Sequence, residues 1–374
     1  MSTLVRIAEN EEDKNAIYAF RYRIYVDEFQ LSPAEADYER KILRDDLDDV
    51  GISYVLWRND QVVGSLRTVY LADMPNPGKL IGKFGLAPAM QRFGVDAIAT
   101  TSRFMLDPKV RQGRAIYDMM DIAYRQGMER GVRLNYGDCS PHLLPFYKHL
   151  GYRRYTRAYN DTNYGYKLPI LMLTRDHAWF TRVKSPLARV VMRYPDDTDA
   201  REWFAATHPA FTGMQSAAFL SEGAFYDLLQ ERVGNDPLHS LSLLSGLDRK
   251  EVAAFLEHST LIKAEKNDRI IRQGQRDETV YVLLSGIAEV LKDEHPDRPI
   301  RVLGAGDCFG EIGYLTNVAR TANVVACAPC EVLVLSSEFL QRFLRKRPEI
   351  AIKVLYNFSR ILAGRLATDW GPDS

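Results

Sequence analysis

LGAGDCFGEIGYLTNVARTANVV, Leu303–Val325, decides how the last third of this 374-residue chain is read. Glycines cluster at Gly304, Gly306, Gly310 and Gly313, the acid Glu311 follows one of them, and nine positions later Arg320 precedes Thr321 and Ala322. Glycines lack a Cβ, so backbone N–H groups can converge on an anion. Arginine supplies a planar fork matched to phosphate oxygens, and a carboxylate accepts hydrogen bonds from sugar hydroxyls. A phosphate plus a ribose is what this set can hold. Around it, from Leu241 to about Leu366, a short helix precedes brief strand-like runs broken by Gly274 and Gly286 as well, which predicts a β-barrel or jelly roll with flanking helices.

Upstream the texture differs. From Met1 to about His177, strand-like runs (SYVLWR, VVGSLRTVYL, LPILMLT) alternate with helix-like ones (EDKNAIYAFRYRIYVDEF, AIYDMMDIAYRQGMERG), the pattern of a mixed α/β domain. The apolar stripe Ile116, Met119, Met120 and Ala123 is expected to face inward. From about Phe180 to His239 the pattern is mainly helical. We therefore expect an α/β domain over 1–179, a helical linker over 180–240 and a β domain over 241–368.

Composition narrows the function. Lys plus Arg number 49 and Asp plus Glu also 49, so no net positive charge exists to drive nucleic-acid binding. No apolar run reaches the ~20 residues that span a bilayer, and the acidic start MSTLVRIAENEEDKN lacks an export-signal layout. A cytoplasmic protein with no nucleic-acid or integral-membrane partner is expected. Cys327 and Cys330 form a C-x-x-C pair, but it lies between apolar strand-like runs with no second ligand pair after it, and the seven histidines show no H-x-x-x-H spacing, so no metal is expected. Oligomeric state is not readable.

The cassette FGEIGYLTNVARTANV, with LSLLSGLDRKEVAAFL and RIIRQGQRDETVYVLLSGIAEVL before it, resembles the cyclic nucleotide-binding domain family. The resemblance implies that Glu311 binds the ribose 2′-hydroxyl, Arg320 the cyclic phosphate, and that Gly310, Ile312, Thr321 and Ala322 line the pocket. It implies cAMP or cGMP as regulator. The base would be met from Arg347–Leu366, with Tyr356, Asn357, Ser359 and Arg360 as candidates.

In the first domain, Lys109–Ala115 is a basic, glycine-containing turn before a helix, and a helix N-terminus favours anions. The residues alone leave a pyrophosphate site and a solvated loop equally open. NYGDCSPHLLPFYKHLGYRRY resembles acyltransferases of the GNAT superfamily, which makes Arg111, Gly113, Arg114 and Ala115 the acyl-carrier pyrophosphate site and Tyr147 the group that protonates the departing thiolate. Val110 stands where that family's loop commonly begins with Gln or Arg.

FRYRIYVDEF, DDLDD, VVGSLRTVYL and TSRFMLDP, in that order, resemble the autoinducer synthases and the related N-acyl amino acid synthases. Arg21, Tyr25, Asp45, Asp48, Arg67 and Arg103 fall on those families' functional positions. Thr100 and Leu31 replace an expected acid and tryptophan, so an N-acyl amino acid synthase fits better than a lactone-forming enzyme. On the residues alone, Asp45 and Asp48 either handle an amine or edge a solvated loop, Tyr147 either donates a proton or packs, and each arginine either binds an anion or makes a structural ion pair.

Together these readings predict an N-acyltransferase, allosterically regulated by a cyclic nucleotide, that moves an acyl group from acyl carrier protein or CoA to an amine, commonly of an amino acid. The linker is expected to carry the coupling. Two alternatives stand beside it: a cAMP-regulated protein lysine acetyltransferase, and a non-catalytic nucleotide sensor.

Overall fold

The computed structural model describes residues 3–110, 115–212, 227, 229–231, 240–256 and 259–369. The chain groups into two compact units, one of Met1–Cys139, Phe146–Arg157 and Leu168–Gly213, the other of Ser140–Pro145, Ala158–Lys167 and Met214–Ser374.

In the first unit the alternating pattern becomes a mixed sheet with strand order Thr3–Ile7, Ile52–Arg58, Gln61–Tyr70, Ile98–Leu106, Leu134–Cys139, Gly165–Leu173 and Arg153–Arg154. Every neighbouring pair is antiparallel except Ile98–Leu106 with Leu134–Cys139. That parallel ladder covers only Ile98 to Thr100 against Leu134 to Tyr136. Beyond it the two strands run on without pairing.

Gln61–Tyr70 is buried at every position after Gln61, so both of its faces are covered. Its polar residues must then find partners inside, which is where the site arises. Helix Glu11–Tyr22 starts at Asn10, whose side chain accepts from the Asp13 N–H at 2.8 Å. Its inner face places Ile17 and Phe20, with Ile24 just past its end, against Val55 and Met105. The sequence reads as one continuous helix to Phe29, whereas Arg23–Glu28 is a π-helix; such turns often occur at functional sites. On Ala115–Glu129 the stripe Ile116, Met119, Met120 and Ala123 is buried as expected.

The second unit has two four-stranded antiparallel sheets. One runs Thr260–Ala264, Cys330–Leu335, Val280–Ser285, Cys308–Phe309; the other Arg269–Ile271, Asn323–Ala326, Ala288–Leu291, Arg301–Leu303. Helices Ser337–Lys346 and Pro348–Asp369 pack Phe339, Phe343, Val354 and Phe358 onto Val280, Val282 and Leu335. The fold is therefore a mixed α/β domain plus a β domain with flanking helices. Short helices occupy Ala188–Val191, Thr198–Thr207 and Pro209–Thr212. The rest of the expected linker falls mostly outside the described residues, as do Arg111, Gly113 and Arg114; of Ala115 only its place at the helix start is described.

No described helix is long and apolar enough to cross a membrane. Among the described residues no group of three or more His, Cys, Asp or Glu could hold a metal ion.

Candidate functional site

Arg21, Arg67 and Arg103 are buried, with Arg21 at 0% exposure. Three buried guanidiniums need anions, because an unpaired buried charge is far costlier than a paired one. The acidic run supplies them. Asp45 caps the short turn Asp46–Asp48 by accepting from the Leu47 N–H at 3.0 Å, and Asp48 accepts from the Asp45 N–H at 3.0 Å. This reciprocal cap aims both carboxylates inward. Arg67 grips Asp45 at 2.6 and 3.2 Å and approaches Asp48 at 2.9 Å. Arg21 bonds Asp48 at 2.7 Å and the Ser53 hydroxyl at 3.2 Å, and Arg103 bonds Asp45. Glu35 lies 4.0 Å from Arg103.

Burial pushes the Asp45 carboxyl up, but Arg67 and Arg103 overcome this and hold it well below the usual carboxylate range. Asp48 is lowered in the same way, burial opposing Arg21 and Arg67. Both are ionised, clamped and only weakly basic at neutral pH. This geometry favours a positioning role for them over proton abstraction, and it makes the arginines ion-pair partners as well as candidate anion binders.

Arg103 sits at φ +53° inside its strand, opposite an irregularity in the facing strand between Ser65 and Arg67. A non-glycine residue there is uncommon and such strain gathers at functional sites. The kink brings the Arg103 guanidinium 5.4 Å from the Tyr25 ring centroid. The next residue, Phe104, meets Tyr147 edge-on at 6.2 Å. Tyr147 is also enclosed by Phe146 and Tyr152, each at 5.5 Å. Burial pushes its phenol well above the ordinary value, with Cys139, Tyr152, Tyr25 and Asp138 adding to the rise, so the hydroxyl keeps its proton at neutral pH.

In the second unit, Gly310 has φ +82°, and a Cβ there would lie 2.7 Å from the Arg320 guanidinium and 2.8 Å from the Thr279 carbonyl. Only glycine suits both the backbone and the space. Arg320, 5% exposed, donates to the Gly310 and Thr279 carbonyls at 2.6 Å each and lies 3.1 Å from Asp277. Its Nε is buried without a hydrogen-bond partner among the described residues, a donor left over for an anion. Glu311 is 1% exposed and opens the helix Glu311–Thr316. Ala322 is buried, while Thr321 and Ile312 are exposed. A buried guanidinium with a spare donor, a buried carboxylate and a glycine that admits close approach fit a cyclic nucleotide.

Sequence reasoning missed two charged partners in this unit. Asp277 pairs with Arg320, and Arg365 of the last helix donates to Glu311 and to the Cys308 carbonyl. Both lie far along the chain from the cassette, where no local spacing signals them. Among the candidates for meeting the base, Asn357 is instead turned inward, donating to the Leu243 and Ser245 carbonyls at 2.9 and 2.8 Å, whereas Tyr356 is 65% exposed.

Residues 16–176 match the family model of the N-acyl amino acid synthase FeeM, and residues 261–347 match that of the cyclic nucleotide-binding domain. Similar curated proteins include the cGMP-dependent protein kinase egl-4 of Caenorhabditis elegans, 44% identical over 36% of this chain and 18% of that one. The cAMP-activated global transcriptional regulator CRP of Pasteurella multocida is 33% identical over 30% of this chain and 53% of its own length. Glutaminase 2 of Bradyrhizobium diazoefficiens is 34% identical over 33% and 20%. The chain thus spans between about a fifth and about a half of these relatives.

Among solved structures, FeeM from uncultured soil microbes superposes with a TM-score of 0.40 at 14% identity, covering 50% of this chain and 98% of that one. A cyclic nucleotide-binding domain from Methylobacillus flagellatus gives a TM-score of 0.35 at 20% identity, covering 42% and 93%. The chain joins a domain of the N-acyl amino acid synthase FeeM family to a C-terminal cyclic nucleotide-binding domain.

Proposed function

We propose that this protein is an N-acyltransferase of the GNAT superfamily that moves an acyl group from a thioester, on acyl carrier protein or CoA, to the amine of an amino acid, under the control of cAMP or cGMP. One juxtaposition supports the reading most: Arg103 and Phe104 are consecutive on a strand that has parted from its parallel neighbour, and they join the charged cluster to Tyr147. A charged grip for an amino acid carboxylate or phosphopantetheine stands next to a proton donor.

A free α-amine has a pKa of about 7.7–8.0, so a sizeable neutral fraction exists near pH 7.5 without a strong base. The neutral nitrogen attacks the thioester carbonyl, the C–N bond forms, and the C–S bond breaks. Tyr147 gives its proton to the departing thiolate and recovers one from the amine by way of solvent. Asp45 and Asp48 hold Arg67, Arg103 and Arg21 in place for the substrate's anionic group. In the second domain, Arg320 holds the cyclic phosphate and Glu311 the ribose hydroxyl, with Gly310, Ile312, Thr321 and Ala322 around them.

The test is direct. Purified protein is incubated with acyl carrier protein or CoA thioesters of short and long chains and a mixture of amino acids, and the products are read by mass spectrometry. N-acyl amino acids support the reading, acetylated lysine on a partner protein favours the lysine acetyltransferase, and no transfer with any donor rejects catalysis.

A further inference from the structure

Past the π-helix the chain folds back beside the arginine cluster through a built loop. The Leu31 N–H donates to the Tyr25 carbonyl at 2.9 Å, and the Ala36 N–H to the Pro33 carbonyl at 3.1 Å. Ala36–Asp37 then pairs antiparallel with Ile42–Leu43, Ala36 opposite Leu43. Leu43 is fully buried and anchors the pair. This register brings Glu35, just before Ala36, to the end of the ladder from which Asp45 leaves, two residues after Leu43.

Glu35 differs from the two aspartates of the cluster. Asp45 lies 2.6 and 3.2 Å from Arg67, and Asp48 lies 2.7 Å from Arg21 and 2.9 Å from Arg67, all within hydrogen-bond reach. The Glu35 carboxylate stands 4.0 Å from the Arg103 guanidinium, beyond that reach, and its side chain is 31% exposed. A long, partly solvated ion pair contributes little by itself. A substrate that comes between its members therefore gives up little and meets one charge of each sign. Charge balance points the same way: the three guanidiniums of Arg21, Arg67 and Arg103 face the three carboxylates of Asp45, Asp48 and Glu35. Together these residues are neutral and match a guest that is neutral overall; without Glu35 they carry a surplus positive charge and match any carboxylate.

We propose that Glu35 is a specificity-determining residue that, with Arg103, selects the zwitterion of a free α-amino acid as the acyl acceptor. The carboxylate of the amino acid takes N–H donors of Arg103, whose fork carries five and so serves Asp45 as well. The ammonium on the adjacent carbon donates to Glu35, and the neutral amine that attacks the thioester keeps that bond. A carboxylate partner favours the ammonium form, so Glu35 raises the pKa of the bound amine, and the proton leaves to solvent before attack. Selection is thus gained at the cost of a higher pH for turnover. The inference rests on the acyltransferase reading above and narrows its acceptor: a lysine side chain in a protein has no carboxylate beside its amine and offers this pair one charge instead of two.

The test uses the full chain, a panel of acyl thioesters, and acceptor pairs that differ by the carboxylate alone, leucine with isoamylamine and phenylalanine with phenethylamine. The parent is expected to favour the amino acid of each pair by about tenfold or more in kcat/KM. Glu35→Gln is expected to raise KM for the amino acid by about tenfold or more with the melting curve preserved. Its rise of kcat with pH is expected to move toward acid by up to about one pH unit, a change that a merely structural role leaves out. Glu35→Asp, which keeps the charge, is expected to restore the parent's pH profile. An unchanged KM and pH profile in Glu35→Gln, or a parent that acylates the amine as well as the amino acid, overturns the selection while leaving the acyltransferase standing. No transfer by the parent to any acceptor overturns the acyltransferase reading and the selection with it.

Discussion

Arg365, near the end of the last helix, donates to the carboxylate of Glu311 and to the Cys308 carbonyl beside it. The acid assigned to the ribose hydroxyl is thus already neutralised from within the chain. Nucleotide must share or displace that guanidinium. Glu311 is 2% exposed as a side chain and Arg365 18%, so the pair is stronger than a surface ion pair.

Replacing Arg365 by Ala removes the competitor and leaves a buried carboxylate in want of a donor. Calorimetry is expected to show nucleotide affinity rising by roughly fivefold, about 1 kcal/mol, with a lower thermal midpoint in the absence of ligand. A fall in affinity makes Arg365 a ligand contact instead of a rival.

At the opposite end of the molecule's chemistry, Tyr147→Phe keeps the ring among Phe104, Phe146 and Tyr152 and deletes only the hydroxyl. The turnover rate is expected to drop by about 10²- to 10⁴-fold with KM little changed and the melting curve preserved. An unaltered rate assigns the residue to packing.

Asp48→Asn leaves Arg21 and Arg67 short of one buried charge. Denaturant unfolding is expected to show a loss of about 3–5 kcal/mol at pH 7. The sign with pH follows from the lowered carboxyl: the stabilisation is present above the ordinary carboxylate pKa and disappears as pH falls below it, so parent and variant converge in acid.

Lys148 follows Tyr147 and lies 5.8 Å over the Trp179 ring. Burial, with Arg182 adding to it, pulls its ammonium down to about 7. Between that value and the ordinary lysine value of 10.5 the unfolded chain holds the extra proton, so this residue's contribution makes the protein more stable as pH rises through that window. Lys148→Met is expected to flatten that rise and to raise the thermal midpoint at pH 6; an identical pH profile places the ammonium in water.

The cassette could be read because its chemistry is local: Gly310, Glu311 and Arg320 lie within one short stretch, and the fold brings the glycine against the arginine. The inward stripe of Ala115–Glu129 was legible for the same reason, since helical periodicity needs no distant partner. Arg21, Arg67 and Arg103 were visible as candidates, but whether an arginine is solvated or buried depends on what crosses it. Only the strand pairing and the reciprocal cap of Asp45 and Asp48 reveal one shared cluster. The Arg365–Glu311 and Asp277–Arg320 pairs, and the π-helix that carries Tyr25, arise from packing between distant elements and leave no mark in spacing.

The most direct measurement is the initial rate of acyl transfer, with a donor the protein accepts, in the presence and absence of saturating cyclic nucleotide, on protein whose nucleotide binding is followed in the same sample. A rate that changes by more than about fivefold, and that no longer changes in Arg320→Gln, is the expected result. Equal rates with the nucleotide demonstrably bound contradict it.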